Sequence, residues 1–265
     1  MKKKNRLRIA SQVNESKMIG RQLSFAALEA YKLLRTNLMF ALPEDRQESD
    51  GTELWTTEQE PRPTARRKHH VIGITSSESG EGKSTTALNL AYVLAEASND
   101  VLLLEADMRL PVLYRRMGLK QSPGLSNLLA GFNSGNQVLQ KSDLHPRLYM
   151  VTSGDIPPNP SELLGSKQME ITVEVFSREF DYIILDLPPV NEVSDALVAS
   201  KLTDGMLMIV RQNKTTRGSV SEAMRQLKYA NAKVLGFVVT CAEGETKNYK
   251  KHSYYSDGEG KRSKA

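Results

Sequence analysis

The chain has 265 residues, 39% of them hydrophobic and 25% charged, with a net charge of +5 at pH 7. That size and balance suit one large α/β domain with tails better than two full domains, and no apolar run approaches the roughly 20 residues needed to cross a bilayer. The single cysteine, Cys241, has no partner for an internal disulfide, so it reads as a structural thiol in a reducing compartment.

Residues 1–20 form a basic arm in which Lys2, Lys3, Lys4, Arg6 and Arg8 alone supply five positive charges. No apolar stretch follows it, so it does not read as a signal peptide. A solvated tail is preferred over contact with acidic lipid, and no specific nucleic acid partner is expected. In residues 21–42, Ser24 is placed to cap a helix from Phe25 to Phe40. Phe25, Leu28, Tyr31, Leu34 and Leu38 recur every three or four residues as an apolar face, and Glu29, Lys32 and Arg35 form a charged row. Over residues 43–70 periodicity disappears, with acidic charge up to Glu60 and basic charge from Arg62 to Lys68. This reads as a flexible connection, anchored locally by Trp55 and with His69 and His70 solvated.

The core spans residues 71–241 and opens on VIGITSSESGEGKSTT. Val71 to Thr75 read as a buried strand, the Ser/Glu/Gly run as a loop, and Ala87 to Ala97 as the body of a helix. Strand, glycine loop, Lys-Ser and helix make a phosphate-binding P-loop. Ser79, Gly80, Glu81, Gly82, Lys83, Ser84 and Thr85 are its ligand-facing candidates. Gly80 and Gly82 allow the backbone to fold around phosphate oxygens, Lys83 adds a cation, and the Ser84 hydroxyl is placed to ligate Mg²⁺. Ser77 stands where the general pattern has its first glycine.

The next strand, VLLLEADMR, turns acidic at Glu105 and Asp107. Alternate residues share one side of a strand, and the C-terminal ends of parallel strands face the ligand crevice, so both carboxylates are expected to approach a metal-bound nucleotide. A helix-rich or irregular stretch follows, then a strand at Leu148 to Thr152. Three prolines interrupt SGDIPPNPSELLGS until Ser161 caps a helix predicted to continue to Phe176. The strand of YIILDLPPV ends at Asp186, the pattern of a carboxylate that holds Mg²⁺.

Helix is predicted over Asp195 to Leu202 and Thr216 to Ala230, with strands from Met206 to Val210, ending at Arg211, and from Val234 to Val239. This alternation implies a mostly parallel β-sheet with helices on both faces, the three-layer P-loop NTPase sandwich of the MinD/ParA type. The polar tail, residues 242–265, reads as disordered yet holds Tyr249, Tyr254 and Tyr255 of the nine tyrosines.

The segments EAYKLLRTN, ITSSESGEGKSTT, LLLEADMRLP, PPNPSELLGS, IILDLPPV and VRQNKTTR, in this order, resemble the bacterial tyrosine kinases of capsule and exopolysaccharide synthesis, specifically the stand-alone cytoplasmic CpsD/CapB type. The resemblance covers about residues 29–240 plus the tyrosine tail. It implies ATP and Mg²⁺ as cofactors, with Lys83 and Ser84 as the Walker A pair, Asp107 and Asp186 positioning the metal, and Arg211 beside the nucleotide. The first acidic position of the Walker A′ strand, normally aspartate and implicated in activating the acceptor hydroxyl, is here Glu105, one methylene longer. Ser79 replaces a common proline, and Lys32 replaces the first arginine of the family's Glu-x-x-Arg-x-x-Arg interface motif.

By the same resemblance, Glu29, Lys32 and Arg35 would contact a neighbour in a homo-oligomeric ring whose tails are phosphorylated in trans. A membrane-embedded polysaccharide co-polymerase-type adaptor would recruit the chain to the inner face of the membrane and activate it, and a tyrosine phosphatase would reverse the modification. Either Glu105 or Asp107 would accept the phenolic proton. From Thr240 to Tyr254 an extended chain at about 3.3 Å per residue spans about 45 Å, enough to reach a neighbouring site. Two other classes share these features: a ParA/MinD-like positioning ATPase, which places a lysine where this chain has Glu78, and a catalytically weak ATP-sensing regulatory subunit.

Overall fold

The structure, a computed structural model, describes residues 19–42 and 69–242. The expected connection over residues 43–68, with Trp55, and the tail tyrosines Tyr249, Tyr254 and Tyr255 lie outside the described residues.

Seven strands form one sheet: β1 (His70–Ser76), β2 (Val101–Glu105), β3 (Leu139–Lys141), β4 (Leu148–Val151), β5 (Tyr182–Asp186), β6 (Gly205–Arg211) and β7 (Val234–Thr240). Their order is β3-β4-β2-β5-β1-β6-β7, parallel except for the antiparallel edge strand β3. β1, β2 and β5 are buried along their whole length, and their unbroken apolar runs follow from cover on both faces.

On one face, α1 (Phe25–Ala41), α2 (Lys83–Glu96) and the short α3 (Leu113–Met117) share a core with Ile72, Ile74, Leu103 and Ile184. The other face is covered by α4 (Leu125–Leu129), α5 (Gly135–Val138), α6 (Pro160–Leu164), α7 (Lys167–Phe176), α8 (Asp195–Ala199) and α9 (Arg217–Tyr229), packed on a second core that includes Leu102, Leu104, Ile183 and Leu185. Even and odd strand positions thus sort onto opposite faces. Among the described residues no helix is long and apolar enough to cross a membrane.

The helix predicted from Ser161 to Phe176 is two helices. Pro160 stands at the first position of α6, Gly165 ends it, and Ser166 caps α7 by accepting a hydrogen bond from the Met169 N–H at 3.2 Å. His70, expected to be solvated, is buried as the first residue of β1, paired with Tyr182, its ring 5.6 Å from the tyrosine ring. Periodicity also gave no sign of β3, which is three residues long and exists by pairing with β4.

The N-terminal helix is fastened rather than free. Ser24 caps it as expected, Leu38 and Leu42 are buried, and the Arg35 guanidinium donates from Nη1 to the Val93 carbonyl of α2 at 2.7 Å. Leu38→Ala is therefore expected to cost about 2–4 kcal/mol. Urea unfolding should show the loss, and hydrogen exchange should show it concentrated in residues 25–42.

Candidate active site

Because β5 lies between β2 and β1, the C-terminal ends of three strands meet at the point where connections leave in opposite directions, the usual ligand crevice of an open α/β sheet. Register brings the acidic positions together: Asp186 pairs with Ile74 on one side and with Glu105 on the other. Both carboxylates therefore lie on the face occupied by α2, whose first residues are Lys83 and Ser84.

The P-loop between β1 and α2 is held by its own side chains. Glu81 is fully buried and folds back into the loop, accepting from the Ser77 N–H at 3.0 Å, the Glu78 N–H at 3.1 Å, the Ser77 hydroxyl and the Thr215 hydroxyl. This explains how Ser77 replaces glycine: its backbone is not among the positive-φ residues, and its hydroxyl is used. Gly80 and Gly82 do need to be glycine, at φ of 75° and 101°, and a Cβ on Gly82 would press within 3.2 Å of Thr240.

Arg211, at the end of β6, donates to the Gly80 carbonyl at 3.0 Å, Lys214 donates to the Ser79 carbonyl, and the Thr240 hydroxyl donates to the Glu81 carbonyl at 2.6 Å. Ser79 is exposed, its N–H donating to Glu192 at 2.6 Å. Lys214 and Thr215 belong to the VRQNKTTR segment, but no sequence pattern indicated that they, Glu192 or Thr240 touch the loop, which they reach from more than a hundred residues away.

Lys83 is buried at the start of α2 and Asp186 at the end of β5. Neither Asp186 oxygen has a hydrogen-bond partner among the described residues. Burial pushes its carboxyl up to about 7, against the opposing pull of the Lys83 charge and the Ser84 hydroxyl, with the charges of Asp107 and Glu105 raising it further. An unsatisfied buried carboxylate beside a hydroxyl and a phosphate cradle fits a hard, oxygen-seeking cation, so Asp186 and Ser84 are suited to hold Mg²⁺. Asp107 is half-buried; its Oδ1 accepts from the Leu110 N–H at 3.1 Å, and among the described residues its other oxygen is not engaged in a hydrogen bond.

Glu105 is placed differently from its sequence expectation. It is fully buried; Oε1 accepts from the N–H groups of Val112 at 2.6 Å and Leu113 at 2.5 Å, and Oε2 from the Ser153 N–H at 3.2 Å. Burial raises its pKa, opposed by these three hydrogen bonds, with the Asp107 charge raising it again. Both oxygens thus clamp the segment after β2 to the start of α3 and the end of β4. Arg109, on that segment, forms a two-pronged pair with the buried Asp195, at 2.8 and 3.0 Å, and Asp195 also accepts from the Ser161 hydroxyl. The PPNPSELLGS segment is tied to the site in this way.

The AAA domain family matches residues 69–234, more than half of the chain. The tyrosine-protein kinase YwqD of Bacillus subtilis (strain 168) is 34% identical over 227 residues, 86% of this chain and 84% of that protein. The chain belongs to the bacterial tyrosine kinases. Among solved structures, the chimerical protein CapA2B2 superposes with a TM-score of 0.69 at 30% identity, over 83% of this chain and 86% of that one. The kinase domain of Escherichia coli tyrosine kinase ETK gives a TM-score of 0.69 at 29% identity, over 88% and 80%.

In this kinase the row Glu29, Lys32 and Arg35 is partly engaged within the chain: Lys32 pairs with Glu29 at 2.9 Å and Arg35 bonds Val93. Lys32 and Arg35 also line a cavity of about 560 Å³, with Arg21 and His145.

Because burial favours the protonated Asp186 carboxyl, its stabilising contribution is complete below the ordinary carboxylate range and is lost as pH rises through about 7. Without nucleotide or divalent cation, Asp186→Asn should therefore melt higher than the parent at pH 8, by roughly 2–4 °C per kcal/mol gained. The difference should shrink toward pH 5, as calorimetry across that range would show. Glu105→Ala, which orphans three N–H groups, those of buried Leu113 and Ser153 and of half-buried Val112, should destabilise by roughly 2–5 kcal/mol in chemical denaturation.

Proposed function

We propose that this kinase uses Mg·ATP to phosphorylate tyrosines of its own C-terminal tail, Tyr249, Tyr254 and Tyr255, in trans within a ring of identical subunits. The observation that carries the reading is the bare, buried Asp186 carboxylate facing Lys83 and Ser84 at the mouth of a preformed phosphate cradle. Loop amides, the N-terminus of α2 and Lys83 would neutralise the phosphate charge. Mg²⁺ held by Ser84 and Asp186 would supply further charge neutralisation at the terminal phosphate, leaving the open Asp107 oxygen for the acceptor.

With both Glu105 oxygens engaged by backbone N–H groups, Asp107 is the carboxylate available to orient the incoming phenol and accept its proton. The phenolic oxygen forms a bond to the γ-phosphorus while the bond from that phosphorus to the bridging oxygen breaks. ADP leaves, and the proton passes to the Asp107 carboxylate. Lys32 and Arg35, on a cation-lined cavity, remain the contacts proposed for a neighbouring subunit.

A membrane-embedded adaptor of the polysaccharide co-polymerase type would bring the kinase to the inner membrane face and activate it for capsule or exopolysaccharide synthesis, with a tyrosine phosphatase as antagonist. Against a positioning ATPase, Glu78 accepts from the Ser219 hydroxyl at 2.6 Å and leaves no cation at that position to reach across a dimer.

Intact mass after incubation with Mg·ATP tests the proposal, with and without the adaptor's cytoplasmic segment. Wild type should gain successive phosphates that fragmentation maps to the tail tyrosines, while Lys83→Met and the Tyr249/Tyr254/Tyr255→Phe variant should gain almost none. Phosphate released to solution and never found on tyrosine would instead support an ATPase. Nucleotide binding without any transfer would support a sensor.

A further inference from the structure

Arg116 lies on the fourth residue of the five-residue helix α3, next in space to the P-loop helix. Its Nη1 donates to the Thr85 hydroxyl at 2.7 Å, and among the described residues its guanidinium makes no ion pair. Its neighbour Arg115 turns elsewhere, lying over the Tyr114 ring at 5.5 Å. Arg116 thus keeps most of its five N–H donors available beside the phosphate cradle.

The site it touches is specific. Thr85 is the third residue of α2, so its N–H belongs to the first turn, whose donors have no intrahelical partner and point toward a bound anion. In a loop of this kind the backbone amides serve the α- and β-phosphates and the lysine reaches the β- and γ-phosphates.

Arg116 is also held in place. The Glu105 carboxylate grips the Val112 and Leu113 N–H groups at the start of α3, Leu113 is fully buried, and Gly118 closes the helix at φ 64°. A half-buried guanidinium on a helix fixed at both ends is already in position before any ligand arrives.

We infer that Arg116 is a nucleotide-binding residue of this kinase, contacting the α/β-diphosphate that ADP and ATP share, through the geometry it holds with Thr85. The inference rests on the proposal that the P-loop binds Mg·ATP. It makes a definite distinction between the two cations of the cradle: Lys83 serves the phosphate that is transferred, and Arg116 serves the part that stays behind.

The test is direct binding of ADP and ATP to the full chain by titration calorimetry, with steady-state transfer measured alongside. Arg116→Ala should weaken ADP and ATP alike by about tenfold or more, as expected on losing a charge-assisted contact. It should raise the KM for ATP with little change in kcat, and Arg116→Lys should recover part of the affinity. Melting of the nucleotide-free protein separates this from a merely structural role. If Arg116→Ala binds both nucleotides as wild type does, whether or not its melting point falls, the inference is overturned while the kinase reading stands. If wild type itself binds neither nucleotide, both fall together.

Discussion

A buried carboxylate at the end of the central strand, facing a buried ammonium at the start of a helix, is the constraint on which the rest of this structure depends. Asp186 and Lys83 meet because β5 is inserted between β2 and β1, so the strand that feeds the P-loop and the strand that ends in the acid are neighbours. Neither group would be stable alone in that setting, and the protein leaves the acid without hydrogen bonds. Large apolar clusters on both sheet faces hold the backbone that carries this pair in place.

Around that pair the protein organises the loop by polar contacts from distant segments. Glu81, Ser77 and Thr215 form a buried knot inside the P-loop, while Arg211, Lys214 and Thr240 hold its carbonyls outward. The Ser77, Glu78 and Ser79 N–H groups are taken by Glu81 and Glu192, so among the described residues the amides from Gly80 to Ser84 are the ones left to face a phosphate.

The segment after β2 shows how one substitution changes an assignment. A glutamate at position 105 has the reach to meet two N–H groups at the start of α3 as well as the Ser153 N–H, and in this chain it is fully occupied there. The two acids differ in their contacts: Glu105 has both oxygens on backbone N–H groups, whereas Asp107, two residues on and outside the strand, accepts from the Leu110 N–H through Oδ1. The same clamp holds the start of α3, whose Arg116 lies against the P-loop helix.

Much of this was legible in the residues themselves. Unbroken apolar runs ending in Asp186 and Glu105, the glycines that need positive φ, and the strand–helix alternation follow from local sterics and from burial on two faces, which leave a periodic trace in sequence. The identity of the P-loop and the cap at Ser24 were likewise local. The break at Gly165, the burial of His70, the short edge strand β3 and the inward turn of Arg35 were not, because each depends on a partner far along the chain. The same holds for Glu105 and Arg116: sequence determined that an acid and a cation stand at those positions. Only the packing of α3 against β2 and α2 decided what they touch, since hydrogen-bond partners are chosen by three-dimensional proximity that no local pattern records.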